Sequence, residues 1–367
     1  MKFSCTQENL KHGLLIVSRV ANKNANLPIL QNVLIKAQDN KIVLAATNLE
    51  IGVQATLRAK VDTDGSFTLP AQLFSNYVAL LTTEKIDCEL QQNELRVTAN
   101  GQATVLKGEG AGDFPILPTV EGGQHYSLVR GDLEVALQQT ILAAAIDETR
   151  PEIAGICLMF SDKNLKLAAT DSYRLAERTA PLTQVGESMK IILPQRSAHE
   201  LLRLIQFIQI ETVDLFVTET QIACRLGEVE FISRLIEGKF PDYEQIIPKA
   251  GQTTVSLDKN DLMKAVKGAA LFSKTGVNDI NLTFNATDQT LQIKAVNTQL
   301  GQNVTTLPAQ VAGDDVTIVF NYRFLLDGLQ CLIGNEVICL LNGQLSPALI
   351  KGGSDDLFNY IIMPIKQ

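Results

Sequence analysis

Apolar and polar positions along this chain follow two periods, one helical and one alternating, and the two succeed each other in the same order three times. Near the start, Leu10, Leu14, Val17 and Ala21 recur at helical spacing and give one apolar helix face behind a short strand. The stretches YSLVRGDLEVALQQTILAAA from Tyr126 and VSLDKNDLMKAVKGAALFS from Val255 repeat the construction, with Leu133 and Leu262 in the place of Leu10. Ser4 with Gln7, and Asp258 with Asp261, are placed to cap two of these helix starts. Strand pairs come next, 32–37 with 41–46, 156–161 with 165–169, and 280–285 with 291–295; alternation such as Leu165-Lys166-Leu167 marks strands with one wet face. A second helix follows in each third, starting after Pro70, Pro194 and Asn321, where proline is tolerated and asparagine caps. Two further strands close each third, and Asn342-Gly343 predicts a hairpin turn in the last of them.

The pattern predicts an α+β fold of three tandem repeats, each with two amphipathic helices on one face of an antiparallel sheet. The expected domains are 1–122, 123–250 and 251–367, divided near Gly122-Gly123 and Ala250-Gly251. A polar turn recurs at one point of each repeat: AATNLEIGV from Ala45, AATDSYRLA from Ala168 and KAVNTQLGQ from Lys294. Asp171 is the most tempting acid in the chain, but Asn48 and Asn297 replace it in the sister turns, which suits a side chain bonded to its own backbone. Only the second copy carries Tyr173-Arg174-Leu175.

At 46% hydrophobic and 20% charged residues, the 367-residue chain has the composition of a folded, multi-domain soluble protein. No apolar run approaches the roughly 18 residues of a membrane span, and the first residues lack a signal core, so a cytoplasmic protein is expected. Six cysteines stand far apart with no C-x-x-C spacing, which predicts reduced thiols. His12, His125 and His199 have no second ligand at metal spacing, and no hydrolase or nucleotide-binding motif occurs. Gly108-Glu109-Gly110-Ala111-Gly112 runs into Asp113-Phe114-Pro115 and not into a helix, so it lacks what a phosphate loop needs. No catalytic residue, metal or cofactor is expected.

A net charge of −8 argues against a surface that simply coats itself onto nucleic acid. Yet His12, Arg19 and Lys23 fall within one arc of the first helix, Arg196, His199 and Arg203 within one arc of the fourth, and Lys264, Lys267 and Lys274 on or just past the fifth. Two readings stand at this point, solvated helix faces and a shared polyanion-facing surface that contacts phosphates without reading sequence.

The motifs NLPIL (26–30), ATDSYRLA (169–176), EGKFPDY (237–243) and YIIMPIK (360–366), with the threefold repeat, resemble the bacterial DNA polymerase III beta subunit, the DNA sliding clamp family, from end to end. The resemblance implies a head-to-tail dimer whose six domains close into a ring around duplex DNA. It implies a pocket for short linear motifs of the replicative polymerase, clamp-loader subunits, translesion polymerases, ligase and mismatch-repair proteins. Matching positions assign to that pocket Ile153, Thr170, Ser172, Tyr173, Arg174, Leu175, Pro241, Gln245, Ile246, Ile361, Ile362, Met363, Pro364, Ile365 and Lys366. Tyr173 stands where a histidine is common and Gln245 where some members carry a base. DNA-facing residues are expected at His12, Arg19, Lys23, Asn24, Arg150, Arg196, Arg203, Lys264, Lys267 and Lys274, and the ring joint at Val105 and Lys107 against Leu271 and Phe272. On this assignment, removing Ile361 to Gln367 leaves a folded ring without peptide binding. A hydrolase or transferase using a cleft between repeats with Asp171, Tyr173 and Arg174, and a monomeric peptide-binding scaffold, are the competing readings; an Asp171→Asn protein and sedimentation separate them from the clamp.

Overall fold

The computed structural model describes residues 1–21, 27–118, 120, 122–147, 149–274 and 276–366. Among these residues lie six α-helices: α1 Gln7–Val17, α2 Ala71–Leu80, α3 Arg130–Thr140, α4 Gln195–Phe207, α5 Lys259–Ala270 and α6 Tyr322–Cys331. They are two per third, at the positions the apolar periodicity predicts. Leu10, Leu14 and Val17 of α1 are fully buried, while Ala21 lies beyond its end. A Cβ on Gly13 would stand 2.8 Å from Leu57, so the missing side chain lets α1 settle against strand Ile51–Arg58. Asp258 caps α5 by accepting from Asp261 N at 3.0 Å, and Asn321 caps α6 by accepting from Arg323 N at 2.9 Å. The α1 cap differs from expectation. Thr6 Oγ1 accepts from Asn9 N at 3.3 Å, because Ser4 is buried inside strand Lys2–Thr6 and the Gln7 side chain donates to Val78 O.

The chain forms two compact units, one of residues 1–130, 183–186 and 203–235, the other of 131–182, 187–202 and 236–367. The middle third contributes to both, because sheet pairing runs across the repeats. In the first unit a nine-stranded antiparallel sheet runs Glu109–Gly110, Gly65–Pro70, Asn32–Gln38, Lys41–Thr47, Ile51–Arg58, Val229–Arg234, Gln221–Leu226, Thr212–Val217, Gln124–Val129. A five-stranded sheet runs Lys60–Thr63, Lys2–Thr6, Lys85–Gln91, Glu94–Ala99, Gln102–Lys107. In the second unit the nine-stranded order is Met189–Pro194, Gly155–Phe160, Asn164–Thr170, Arg174–Pro181, Phe358–Ile362, Ala348–Gly352, Glu336–Leu341, Thr253–Asp258, Gln310–Ala312. Its four-stranded sheet runs Gly301–Pro308, Thr290–Asn297, Asp279–Asn285, Val316–Asn321, and α5 packs on the first two of these. The hairpin expected at Asn342-Gly343 is a longer loop: strand 336–341 resumes only at Ala348, and Asn342 spends its amide on Gln252 N and Ala250 O.

Within the second unit the strand pair 174–181 and 358–362 is the seam between the second and third repeats. Its register sets Leu175 against Ile361 and Arg174 against Ile362. Buried charge pins it. Arg178 Nη1 donates to both Asp355 oxygens at 2.7 and 2.6 Å, with side chains 11% and 8% exposed. Glu177, also buried, accepts from Tyr243 Oη at 2.6 Å and Asn359 Nδ2 at 3.3 Å, and burial followed by the Glu177 carboxylate pushes the Tyr243 phenol up. Removing one partner of such a pair strands the other charge in a dry site. Asp355→Ala is therefore expected to lower unfolding stability by about 3 kcal/mol, read from a denaturant midpoint. A midpoint equal to that of the parent protein would show that the pair does not hold the seam.

Candidate functional site

A groove of about 550 Å³ opens on the second unit, lined by Ser172, Tyr173, Val277, Asn321, Phe324, Met363, Pro364, Ile365 and Lys366. The turn before Arg174 sets its first wall. Asp171 Oδ1 accepts from Tyr173 N and Arg174 N, both at 3.0 Å, while Thr170 Oγ1 donates to Arg174 O at 2.7 Å and accepts from Ser172 N at 3.1 Å. Ser172 is held at φ 76°, a left-handed conformation unusual for a residue with a side chain, and Tyr173 is left 65% exposed.

The second wall is the tail. Met363 N donates to Tyr173 O at 2.9 Å and Ile365 N to Val319 O at 2.8 Å, so the backbone is pinned on either side of Pro364, which has no N–H to satisfy. The third is α6. Tyr360 Oη donates to Phe324 O at 2.7 Å, and its ring fills the space where a Cβ on Gly328 would stand, 2.3 Å away. That contact fixes Phe324 6.3 Å from the Tyr173 ring, and the Arg174 guanidinium carbon lies 4.5 Å from the Phe324 centroid. Arg174 also donates to Asp171 Oδ2 at 2.9 Å and to Asp327 Oδ2 at 2.5 Å. Burial works against its charge, but Tyr360, Asp327 and Asp171 outweigh it and hold its pKa above the usual value. An aromatic, aliphatic and thioether wall with few polar groups suits a short apolar peptide segment.

Asp171 is thus architecture, as Asn48 and Asn297 indicate: both accept two backbone N–H bonds in the same way. Asp171→Asn keeps those bonds, and Arg174 keeps Asp327. Peptide affinity is expected to change by less than about threefold in a titration, and a loss beyond about tenfold would restore Asp171 as a functional acid.

Of the expected pocket residues, Ser172, Tyr173, Met363, Pro364, Ile365 and Lys366 line this groove. The others do not line its wall. Leu175, Ile361 and Ile362 are at most 1% exposed, closed off by the strand pairing on both sides of 358–362, and Ile153 is 3% exposed in the short turn Pro151–Ile153. Thr170 and Arg174 shape the turn, while Pro241, Gln245 and Ile246 stand outside the groove wall, with Gln245 donating to Asp242. Val277, Asn321 and Phe324 were missed. The signal for Phe324 was present: Ser197 and Leu73 hold its place in the sister helices, the same divergence that singles out Tyr173.

Among the cationic candidates, Arg19, Arg196, His199, Lys264, Lys267 and Lys274 are exposed, with Lys264 3.5 Å from Asp261. His12 is exposed and stacks on Phe207 at 4.8 Å. Lys23 and Asn24 lie outside the described residues. Two expectations change. Arg203 is half-buried and donates to Ile16 O at 2.7 Å, satisfying the carbonyl end of α1; Arg150 donates to Ser172 Oγ at 3.0 Å and so belongs to the groove rim. At the expected joint, Val105 and Lys107 are exposed on the edge strand Gln102–Lys107, and Leu271 is 72% exposed beside half-buried Phe272.

One grouping looks catalytic and is not built to be. His125 Nε2 lies 3.0 Å from Asp214 Oδ1, Ser127 Oγ donates to the same oxygen, and Ser127 Oγ is 3.4 Å from that same Nε2. A relay needs the carboxylate and the hydroxyl on opposite ring nitrogens; here Nδ1 faces Gln184 at 2.7 Å.

A repeated α+β architecture that carries a groove of peptide dimensions has the features of a docking protein. Sequence profiles of the DNA polymerase III beta subunit match throughout: the N-terminal domain over residues 1–118, the central domain over 128–242 and the C-terminal domain over 244–366. The chain is 30% identical over 389 residues to the beta sliding clamp of Synechocystis, spanning 100% of this chain and 99% of that protein. It is 27% identical to the beta sliding clamp of Bacillus subtilis over the full length of both. Among solved structures, the Bacillus subtilis DNA polymerase sliding clamp superimposes with a TM-score of 0.94 at 26% identity, covering 100% of this chain and 99% of that one. The Pseudomonas aeruginosa sliding clamp bound to griselimycin gives 0.95 at 27% identity over all of both chains. This chain belongs to the DNA polymerase III beta subunit family, the beta sliding clamps.

Proposed function

We propose that this chain is the sliding clamp of a bacterial replicative DNA polymerase, a non-catalytic processivity factor acting in the cytoplasm. The observation that carries the reading is the end-to-end match of three consecutive beta-subunit domains. The proposed domains are 1–122, 123–250 and 251–367. Two copies join head to tail through the unpaired edge strand Gln102–Lys107, with Val105 and Lys107, and the unpaired edge strand Gly301–Pro308 beside Leu271 and Phe272. Closing both edges removes exposed backbone that would otherwise template aggregation. Duplex DNA passes through the resulting ring against His12, Arg19, Arg196 and the lysines of α5, held by phosphate contacts without sequence preference. The Tyr173 groove takes short linear motifs of polymerases, clamp-loader subunits, ligase and mismatch-repair proteins.

The phosphate-facing role is tested at α5, where Lys264 and Lys267 are exposed on one face. In the Lys264→Glu, Lys267→Glu double variant, the salt slope of binding to short linear duplex is expected to fall by about two, with weaker affinity at every DNA sequence. An unchanged slope would move DNA off this helix.

A further inference from the structure

The Tyr173 groove has a counterpart in the first unit, at the turn between strands Lys41–Thr47 and Ile51–Arg58. The two are built on the same contacts. Asn48 Oδ1 accepts from Glu50 N and Ile51 N, as Asp171 accepts from Tyr173 N and Arg174 N. Thr47 Oγ1 donates to Ile51 O at 2.9 Å, where Thr170 donates to Arg174 O. Leu49 at φ 77° holds the left-handed position of Ser172. Arg234 N donates to Glu50 O at 2.9 Å, the bond that Met363 N makes to Tyr173 O. Gly52 lies opposite Ile232 in the sheet, as Leu175 lies opposite Ile361. A space of about 220 Å³ remains between this turn and residues 115–118.

Three replacements decide what this space accepts. Gly52, in the place of Leu175, leaves a notch that Leu117 fills, its Cδ2 2.6 Å from where a Cβ would sit. The floor is therefore complete without a ligand. Ile116 is left 95% exposed at the mouth and Leu49 41% exposed, a two-sided apolar lip. Glu50 replaces Tyr173 in the turn and Arg234 replaces Met363 at the end of strand Val229–Arg234, so an exposed anion and an exposed cation sit on two residues joined by the Arg234 N to Glu50 O bond. The volume is less than half that of the Tyr173 groove, room for a single anchoring side chain.

We infer that this groove is a second docking site, for a short extended peptide with one aliphatic side chain between an acidic and a basic neighbour. The aliphatic group enters between Ile116 and Leu49, the acid faces Arg234 and the base faces Glu50. Charge complementarity selects this occupant over the apolar segments that suit the Tyr173 groove. The peptide class rests on reading that groove as a peptide site; the charge selection and single anchor do not.

The test uses the full-length protein with labelled Ile, Leu and Met methyls, titrated with acetyl-Asp-Leu-Lys-amide and with the reversed acetyl-Lys-Leu-Asp-amide. Saturable shifts at Ile116, Leu117 and Ile232 are expected with at least one of them. Affinity should fall by more than about tenfold for acetyl-Ala-Leu-Ala-amide, which lacks both charge contacts, and by about tenfold in Arg234→Glu, which reverses one of them. Shifts confined to Met363 and Ile365, no saturable shift with either probe, or equal binding by the neutral probe would each overturn the proposal. A polymerase-derived peptide added to a second sample reports Met363 and Ile365 separately. Its failure there, with the Ile116 shifts intact, counts against the Tyr173 groove and leaves this one standing.

Discussion

A protein truncated after Ile362 is expected to lose partner-peptide affinity by about 100-fold or more while remaining folded. The cut removes Met363, Pro364, Ile365 and Lys366, four of the nine residues that line the groove. Met363 and Ile365 are two of its apolar anchors, and losing two anchors of ~1–2 kcal/mol each already accounts for much of that factor. Among the described residues the tail makes two backbone bonds to the rest of the unit, to Tyr173 and Val319, so little folding energy goes with it. The position of the cut matters. Removing residues from Ile361 onward, which the sequence alone presents as harmless, takes two fully buried side chains out of strand Phe358–Ile362. That strand pairs with Arg174–Pro181 on one side and Ala348–Gly352 on the other, so the longer truncation unfolds the seam and cannot report on the groove. Titration of a polymerase-derived peptide into the shorter truncation, with its denaturation midpoint measured alongside, decides the matter; unchanged affinity would place the peptide elsewhere.

The repeats were legible because helical and alternating periods recur at fixed intervals, and every helix formed where its apolar face predicts. The turn was legible by comparison within the chain: Asn48, Asp171 and Asn297 do the same work, and the departure at Tyr173 marks the groove. What the sequence hides is which side of a strand faces outward once it has neighbours on both edges. Ile361 and Met363 read as equivalent aliphatic residues, yet one is sealed by two flanking strands and the other lines an open wall. Long-range partners are hidden for the same reason. Arg203 shares a helical arc with Arg196 and His199, but only the folded unit reveals that its guanidinium ends on the α1 carbonyls. Arg150 likewise reads as a free cation until Ser172 is placed beside it. Sheet pairing across repeats also lay beyond the periodicity, since alternation fixes a strand's two faces and not its neighbours.

The central claim, that this chain holds DNA by enclosing it, makes its largest prediction about topology. A protein held only by several phosphate contacts loses affinity by orders of magnitude between ~50 and ~200 mM salt, because each contact recondenses counterions when it breaks. A closed ring on a circle has no end to leave by, and salt weakens contacts without opening the path. A net charge of −8 works against strong non-specific adhesion to duplex as a substitute. The measurement is retention of the loaded protein on nicked circular duplex in high salt, before and after a single cut linearises the DNA. The account predicts that the protein stays on the circle and leaves once an end is made. Equal loss from circle and line would contradict it.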